Sequence, residues 1–570
     1  MVRSEASAVF RARRAQLGLW ILVLVSGAWL VARVSKLWFG GDDWFILLDR
    51  RVNPGPGQLG LFEPHFEHWS TVPILVFRAF EAMFGVREYW PYVVLLVVVH
   101  LVIIVLLWHV MVRSAVDPWL ALGFTALLAV PGVGFENLTN VWQMQLISPL
   151  ALGLGALLLL PERGPLGWRD GVTSLLLTIG MACSGAAITM LGVVALAALL
   201  RRGWRVALAV AALPAIAYAW WYVAYGSQQR DVTTLSYRAV PGFVWDGLTD
   251  SLGDLVRLRA LGVVIVLATF GWLVWQLTRR PLARTLLFPS VLALGAVVSL
   301  ALTGWRRAAI TVPTLPRYAY ITLVLVLPLV AAATDWLVRR VARARFTAVV
   351  PAVTGVLLLL VVIAQVRMFD RYVTSIEEAK RVEKAAFLNT AVLERQGYEF
   401  LNEGPVSVFE PQVTVAKIAA LDRDGKLPSL VGLREQDRLT VLARVELAVG
   451  PTPLEGIDED PSAVRLDRVR GAQSAPVDGR PGCVRLDAAR AGATAQLVTS
   501  GRVAVGLNAG GTLALRIVRP DGSVQGQDVL VTLDPETDQV LNIGRIDGPR
   551  DGGAVLLTLP KGTTRLCGVS

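Results

Sequence analysis

Residues 91–108 read PYVVLLVVVHLVIIVLLW, an apolar run whose only strongly polar residue is His100. As a helix, it nearly matches the ~30 Å thickness of a membrane hydrocarbon core. Similar runs recur from Leu17 to Ala364 and stop after Gln365. Of the 570 residues, 54% are hydrophobic and 17% are charged, whereas soluble domains have ~25% charged residues. This composition excludes a soluble enzyme, a fibrous protein and a disordered chain.

The apolar runs predict a polytopic α-helical membrane domain of about 11 spans over residues 1–366. The first run is followed by Lys36 and by no small-residue cleavage site, so we interpret it as a retained helix rather than a signal peptide. The predicted spans are Leu17–Val34, Pro91–Trp108, Trp119–Pro131, Met144–Leu160, Val172–Ala182, Ala187–Leu200, Trp204–Tyr225, Leu258–Leu277, Thr285–Thr303, Tyr318–Val338 and Thr347–Val366.

Arginine density predicts the orientation of these spans. The formal net charge is +11, and many arginines cluster at the ends of apolar runs, which indicates topology rather than nucleic-acid binding. The short loops dense in arginine are 1–16, 113–118, 161–171, 201–203, 278–284 and 339–346. Because basic loops stay in the cytoplasm, we expect a bacterial plasma-membrane protein with a cytoplasmic N-terminus and an extracytoplasmic C-terminal domain.

The C-terminal part has a different pattern. Residues 367–404 predict a helical connector, and residues 405–570 predict a β-rich domain, so the extracytoplasmic part is an α/β region ending in an antiparallel β-sandwich. Apolar residues alternate from Leu439 to Leu447, and shorter runs with Gly, Pro and Asp turns follow. No aromatic residue or histidine occurs from Pro411 to Ser570, which favours docking or scaffolding over stacking of sugar rings.

Two of the three cysteines, Cys483 and Cys567, lie in this β-rich domain, and Cys183 lies in a predicted span. In an oxidising compartment the pair would form a disulfide. The alternative, two free buried thiols, stays open.

The first predicted outer loop, from Ser35 to Trp90, contains the acidic pair Asp42-Asp43. Adjacent carboxylates at a membrane surface repel each other, so we expect one pKa to be raised toward that of a useful base. We favour Asp42 as that catalytic base over Asp43, which abuts the aromatic anchor Trp44-Phe45. The alternative is an acidic turn that caps the next segment.

The same loop contains His65, Glu67, His68 and Trp69 as candidate substrate-binding residues. Carboxylates and imidazoles also bind divalent cations, so Asp43, His65 and His68 are candidate ligands for a Mg²⁺ or Mn²⁺ cofactor. The alternative for the histidine pair is hydrogen bonding to the loop backbone. Residues 71–84 predict an amphipathic helix in the membrane interface.

Further candidates for substrate binding lie in later outer loops. They are Trp142, Gln143, Arg306, Arg307, Arg317 and Tyr318. Arginine binds phosphate with two parallel hydrogen bonds and keeps its charge. The alternative is binding of ordinary anionic phospholipid headgroups.

These features together resemble the GT-C superfamily of membrane glycosyltransferases. The resemblance covers about residues 15–366 and lies in Gly41-Asp42-Asp43-Trp44, the 65–69 segment, the 71–84 helix and a later outer-loop arginine. It implies a polyprenyl-phosphate sugar donor and a base in the first outer loop. A β-sandwich after the last span is similar to the actinobacterial arabinofuranosyltransferases of that superfamily.

The sequence therefore predicts an inverting glycosyltransferase at the outer face of the membrane. Its partners would be the lipid-linked donor, a cell-envelope glycan or lipid acceptor and membrane lipids, without nucleic acid. Two alternatives are a lipid-linked glycan transporter or flippase, which would need polar residues within its spans, and a non-catalytic envelope assembly protein.

Overall fold

The protein is described here by a computed structural model, which covers residues 2–228, 236–279, 282–342, 349–395, 399–400, 410, 412–430, 433, 447–450, 464–477, 479–498, 502–507, 511–518, 524–533, 538–543 and 554–569. They belong to two compact units. The first consists of Met1–Phe84 and Glu88–Glu378, and the second of Gly85–Arg87 and Ala379–Ser570.

Helices build the first unit, as the apolar runs predict. They are α1 Val2–Val34, α2 Asp42–Asp49, α3 Thr71–Phe84, α4 Trp90–Arg113, α5 Pro118–Ala129, α6 Glu136–Thr139, α7 Met144–Leu159, α8 Trp168–Met181, α9 Ala187–Arg202, α10 Trp204–Ala224, α11 Val240–Val256, α12 Arg259–Arg279, α13 Arg284–Arg307, α14 Pro316–Ala342 and α15 Val349–Arg395. Short 3₁₀ turns, Val141–Gln143 and Gly226–Gln228, precede α7 and follow α10.

Each of the eleven predicted segments overlaps a helix in the described residues, and the chain is a multi-pass membrane protein by length and composition. Within the described ranges, eight helical segments are long and apolar enough to cross a membrane. Helices α5, α8 and α9 have 12, 14 and 16 residues, which is short for a single crossing. The number of full-length spans is therefore eight in the described residues rather than eleven.

The helix α3 has the bounds that the sequence predicts, but its charged residues lie on the buried side. Arg78 donates to the carbonyl oxygen of Ile46 at 2.7 Å and pairs with Glu81 at 2.5 Å. Leu75 and Met83 are the exposed apolar residues. The helix thus presents apolar side chains outward and contacts α2 through the hydrogen bond from Arg78 to Ile46.

The second unit contains helix α16 Val415–Arg423 and two antiparallel sheets, which confirms the predicted fold class. The strands are β1 Glu399–Phe400, β2 Leu447–Gly450, β3 Leu466–Arg470, β4 Ala472–Val477, β5 Arg480–Ala488, β6 Ala493–Val498, β7 Arg502–Leu507, β8 Gly511–Val518, β9 Val524–Leu533, β10 Asp538–Ile543, β11 Ala554–Leu559 and β12 Gly562–Val569. Of the alternation predicted from Leu439, the part before Leu447 lies outside the described residues.

The sheets have the orders β1-β2-β10-β7-β12-β5-β4 and β3-β6-β11-β8-β9. Inward residues of both, including Leu486, Leu497 and Leu557, form one apolar core, as in a sandwich. Cys483 on β5 is in register with Cys567 on β12, and a disulfide joins them.

Candidate functional site

The acidic pair lies in the first turn of α2. Gly41, at the N-cap, has a φ of 57°, a left-handed conformation that glycine adopts without a steric penalty. This conformation lets the chain turn into α2 directly after Gly41. Successive helical residues point about 100° apart, so Asp42 and Asp43 face different surroundings.

Asp43 is an internal structural residue. Its side chain is fully buried, and its carboxylate accepts hydrogen bonds from the backbone N–H of Trp142 at 2.8 Å and of Gly40 at 3.2 Å. These bonds tie α2 to the 3₁₀ turn before α7. Both carboxylate oxygens are thereby engaged within the protein, so Asp43 holds the loop.

Asp42 instead keeps 38% of its side-chain surface exposed, and its Oδ1 lies 3.9 Å from Nε2 of His65. That distance marks an electrostatic contact rather than a hydrogen bond. Partial burial raises the pKa of Asp42, but attraction to His65, Arg317 and Arg307 outweighs it and leaves the pKa below its ordinary value. The predicted upward shift is wrong for Asp42 because the nearby cations dominate.

The histidines form a tight turn beside Asp42. The backbone groups of His65 and His68 exchange two hydrogen bonds of 3.0 Å. The ring of His65 packs against Trp142 and Phe45. Its Nε2 atom, like Nδ1 of His68, is buried without a hydrogen-bond partner in the described part of the chain. Burial lowers the pKa of His68 to about 4, so His68 is neutral at pH 7.

Arginines from two later helices complete this cluster. Glu67 accepts from Nε of Arg307 at 2.5 Å and also contacts Nη2. Burial raises the pKa of Glu67, but the attraction of Arg307 and His68 is stronger and lowers this pKa to about 2. Arg317 contacts Glu136 through Nη1 at 2.9 Å. The structure therefore brings α2, the 65–68 turn and the facing ends of α13 and α14 together.

Several predicted site residues lie in packed surroundings. Trp142 is 0% exposed and Gln143 is 4% exposed. Trp69 stacks on Trp221 with ring centroids 5.7 Å apart, and its Nε1 donates to Thr71. These three side chains are therefore packed in the protein interior next to the site.

Tyr318 is nearly buried below Arg317, whose guanidinium lies 5.5 Å from the Tyr318 ring. Arg306 precedes Arg307 in the last turn of α13 and is partly exposed. Both residues remain at the margin of the cluster.

Arg50 was not among the predicted site residues, yet it orders the loop next to the site. Its side chain is fully buried and donates to the carbonyl oxygens of Gly60, Glu63 and Pro64. A basic residue on a predicted outer loop, against the topology rule, was the available signal.

The proposed divalent cation does not fit this arrangement. Asp43 directs both oxygens to backbone N–H groups. Among the described residues, no three His, Cys, Asp or Glu side chains are grouped so that they could hold a metal ion.

Comparisons with known proteins give one similar structure. No protein-family model and no curated protein matches the chain. The crystal structure of ArnT from Cupriavidus metallidurans bound to undecaprenyl phosphate has a TM-score of 0.44 and 11% identity, with coverage of 76% of this chain and 92% of that chain. The chain is thus similar in structure to ArnT, and the assignment of function rests on the residues described above.

Proposed function

We propose that this chain is an inverting glycosyltransferase that moves a sugar from a polyprenyl-phosphate donor to a hydroxyl of an envelope glycan or lipid. The observation that carries the proposal is the partly exposed Asp42 carboxylate in the field of two arginines. The Asp42 carboxylate accepts a proton, and Arg307 and Arg317 stabilise an anionic leaving group. Group transfer from a phosphate ester to an alcohol needs both functions.

The reaction is a single displacement. The acceptor oxygen forms a bond to the anomeric carbon as the bond from that carbon to the phosphate oxygen breaks. The hydroxyl proton passes to Asp42, and the electron pair leaves with the polyprenyl phosphate. Because the lowered pKa makes Asp42 a weak base, it accepts the proton as the new bond forms and the hydroxyl becomes more acidic.

Arg317 is the better placed of the two arginines to meet the donor phosphate. Its side chain is 30% exposed, against 22% for Arg307, and contacts Glu136 through Nη1. Arg307 already uses Nε and Nη2 on Glu67. We therefore assign the phosphate primarily to Arg317, with Arg307 adding charge and holding the 65–68 turn in place.

The low pKa of Glu67 keeps it ionised, so that it holds Arg307 in position. As a carboxylate it fixes Arg307 near Asp42, while neutral His68 adds no repulsion toward a cationic group. At neutral pH Glu67 is therefore ionised and His68 is neutral. We propose that this end of the helices faces outward, in line with the arginine-poor loops, where lipid-linked sugars are displayed.

The experiment is sugar transfer in right-side-out membrane vesicles that contain the protein. A radiolabelled polyprenyl-phosphate sugar is supplied from outside with a panel of envelope acceptors. Label should enter the acceptor in wild-type vesicles and in Arg238→Gln vesicles, since Arg238 is exposed and outside the cluster. Label should not enter it in Arg317→Ala vesicles.

Two results would overturn the proposal. Movement of intact labelled lipid across the membrane without transfer would indicate a flippase. Equal transfer by wild-type and Arg317→Ala vesicles would show that the arginine cluster has no part in the reaction.

A further inference from the structure

A cavity lies at the far end of α14 from Arg317. It has a volume of about 310 Å³ and is lined by the loop after α4, the last turns of α12, the start of α13 and the last turns of α14. At ~1.5 Å per residue, Asp335 lies about 27 Å along α14 from Arg317. The cavity is therefore separate from the Asp42 cluster, and it lies where the helices reach the other membrane interface.

Among the described residues, the charged side chains that line this cavity are Asp335 and Arg339, which form an ion pair. Asp335 pairs with Nε of Arg339 at 2.7 Å and accepts from the backbone N–H of Asp117 at 3.2 Å. Nη2 of Arg339 donates to the carbonyl oxygen of Ala115 at 2.9 Å. Asp335 is nearly buried, whereas half of Arg339 is exposed. The cavity thus presents an inner carboxylate and an outer guanidinium.

Tryptophans form another wall. The rings of Trp272 and Trp336 both line the cavity, with centroids 6.0 Å apart. Nε1 of Trp272 is buried and has no hydrogen-bond partner in the described residues. It is a donor that a ligand oxygen would satisfy, and aromatic faces attract ammonium groups.

The outer surface beside the cavity is apolar. Val274, Leu277 and Leu337 are each between 47% and 59% exposed on α12 and α14. In a membrane span such residues contact acyl chains. An occupant whose polar end fits the cavity and whose tails continue along these helices is therefore a lipid rather than a soluble metabolite.

We propose that this cavity binds the headgroup of a zwitterionic phospholipid with a primary amine. Its ammonium group would lie by Asp335, and its phosphate would accept from Arg339 and Trp272. An anionic headgroup without an amine would leave its charge facing Asp335. A bulky quaternary amine could not donate a hydrogen bond to the carboxylate.

The test is native mass spectrometry of the full-length protein in detergent with phosphatidylethanolamine, phosphatidylcholine or phosphatidylglycerol of identical chains. Wild type should retain phosphatidylethanolamine about tenfold better than phosphatidylglycerol. Asp335→Asn should abolish this preference, whereas Arg279→Gln, at the same helical end but outside the lining, should keep it. Soluble glycerophosphoethanolamine at equal concentration should not displace the lipid.

Two further measurements keep the proposal testable if Asp335→Asn fails to fold. Thr285→Trp narrows the cavity without touching the Asp335 ion pair and should lower phosphatidylethanolamine retention by a similar factor. Equal retention of the three lipids by wild type, or unchanged phosphatidylethanolamine retention in Thr285→Trp, would overturn the proposal. Displacement by the soluble headgroup would show that the site recognises a free zwitterion instead.

Discussion

Asp42→Asn should abolish sugar transfer while leaving the protein folded. The substitution keeps the size of the side chain and removes the proton acceptor, a loss that lowers rates by ~10²–10⁴ fold. The effect on stability should stay below about 1 kcal/mol, because Asp42 is 38% exposed and its contact with His65 spans 3.9 Å. We therefore expect a large loss of transfer rate with little change in the thermal midpoint.

Asp43→Asn is the matched control, since the same chemical change falls on the neighbouring residue. Here a buried carboxylate that accepts from Trp142 and Gly40 is replaced, and the Asn amide nitrogen would face one of those donors. We expect a destabilisation of about 2–3 kcal/mol, with the folded fraction retaining transfer within a few fold.

The assay compares initial rates of transfer from a labelled polyprenyl-phosphate sugar, normalised to folded protein, with thermal midpoints in the same detergent. If Asp42→Asn transfers sugar at the wild-type rate, Asp42 is not the base. If folded Asp43→Asn is inactive, the two roles have been assigned to the wrong residues.

Three other predictions follow from the same geometry. Arg317→Ala should lower the single-turnover rate constant of the purified protein by ~10²–10³ fold. A loss below threefold would show that Arg317 does not bind the phosphate. The pKa of His68 is about 4 in the folded protein and near 6.5 when unfolded, so the unfolded state binds the proton first and stability falls as pH drops from 6.5 to 4. In thermal midpoints measured across that range, His68→Asn should flatten the fall, which is worth at most about 3 kcal/mol; an unchanged slope would contradict the assignment. Cys483→Ala should destabilise the sandwich by roughly 2–4 kcal/mol, seen as faster proteolysis of that unit, and unchanged proteolysis would show that the disulfide adds no stability.

The sequence predicts the elements of this fold better than their pairing. Apolar runs locate the membrane helices, and α3 has the predicted bounds, because helix formation in lipid depends on local composition. Helix α11 escapes prediction because its apolar residues are interspersed with Asp246, Asp250 and Asp254. Those acids lie on a helix that packs against its neighbours, a context that the sequence does not display.

The candidate site shows the same division. The sequence places Asp42 and the 65–68 segment in one loop, but the partners come from distant positions: Arg307 is 240 residues from Glu67, and Trp142 is 99 residues from Asp43. Spacing alone could not separate the exposed acid from the buried one. It also could not show that the arginines lower the pKa of Asp42.

The central claim is that Asp42 takes the proton of an acceptor hydroxyl whose oxygen displaces the polyprenyl phosphate. Its most direct test uses purified protein in liposomes and an acceptor whose hydroxyl carries ¹⁸O, with mass spectrometry of both products. The account predicts that each glycoside formed contains ¹⁸O, that polyprenyl phosphate appears in equal amount without the label, and that Asp42→Asn yields neither product. Polyprenyl phosphate that contains ¹⁸O, or equal product formation by Asp42→Asn, would contradict it.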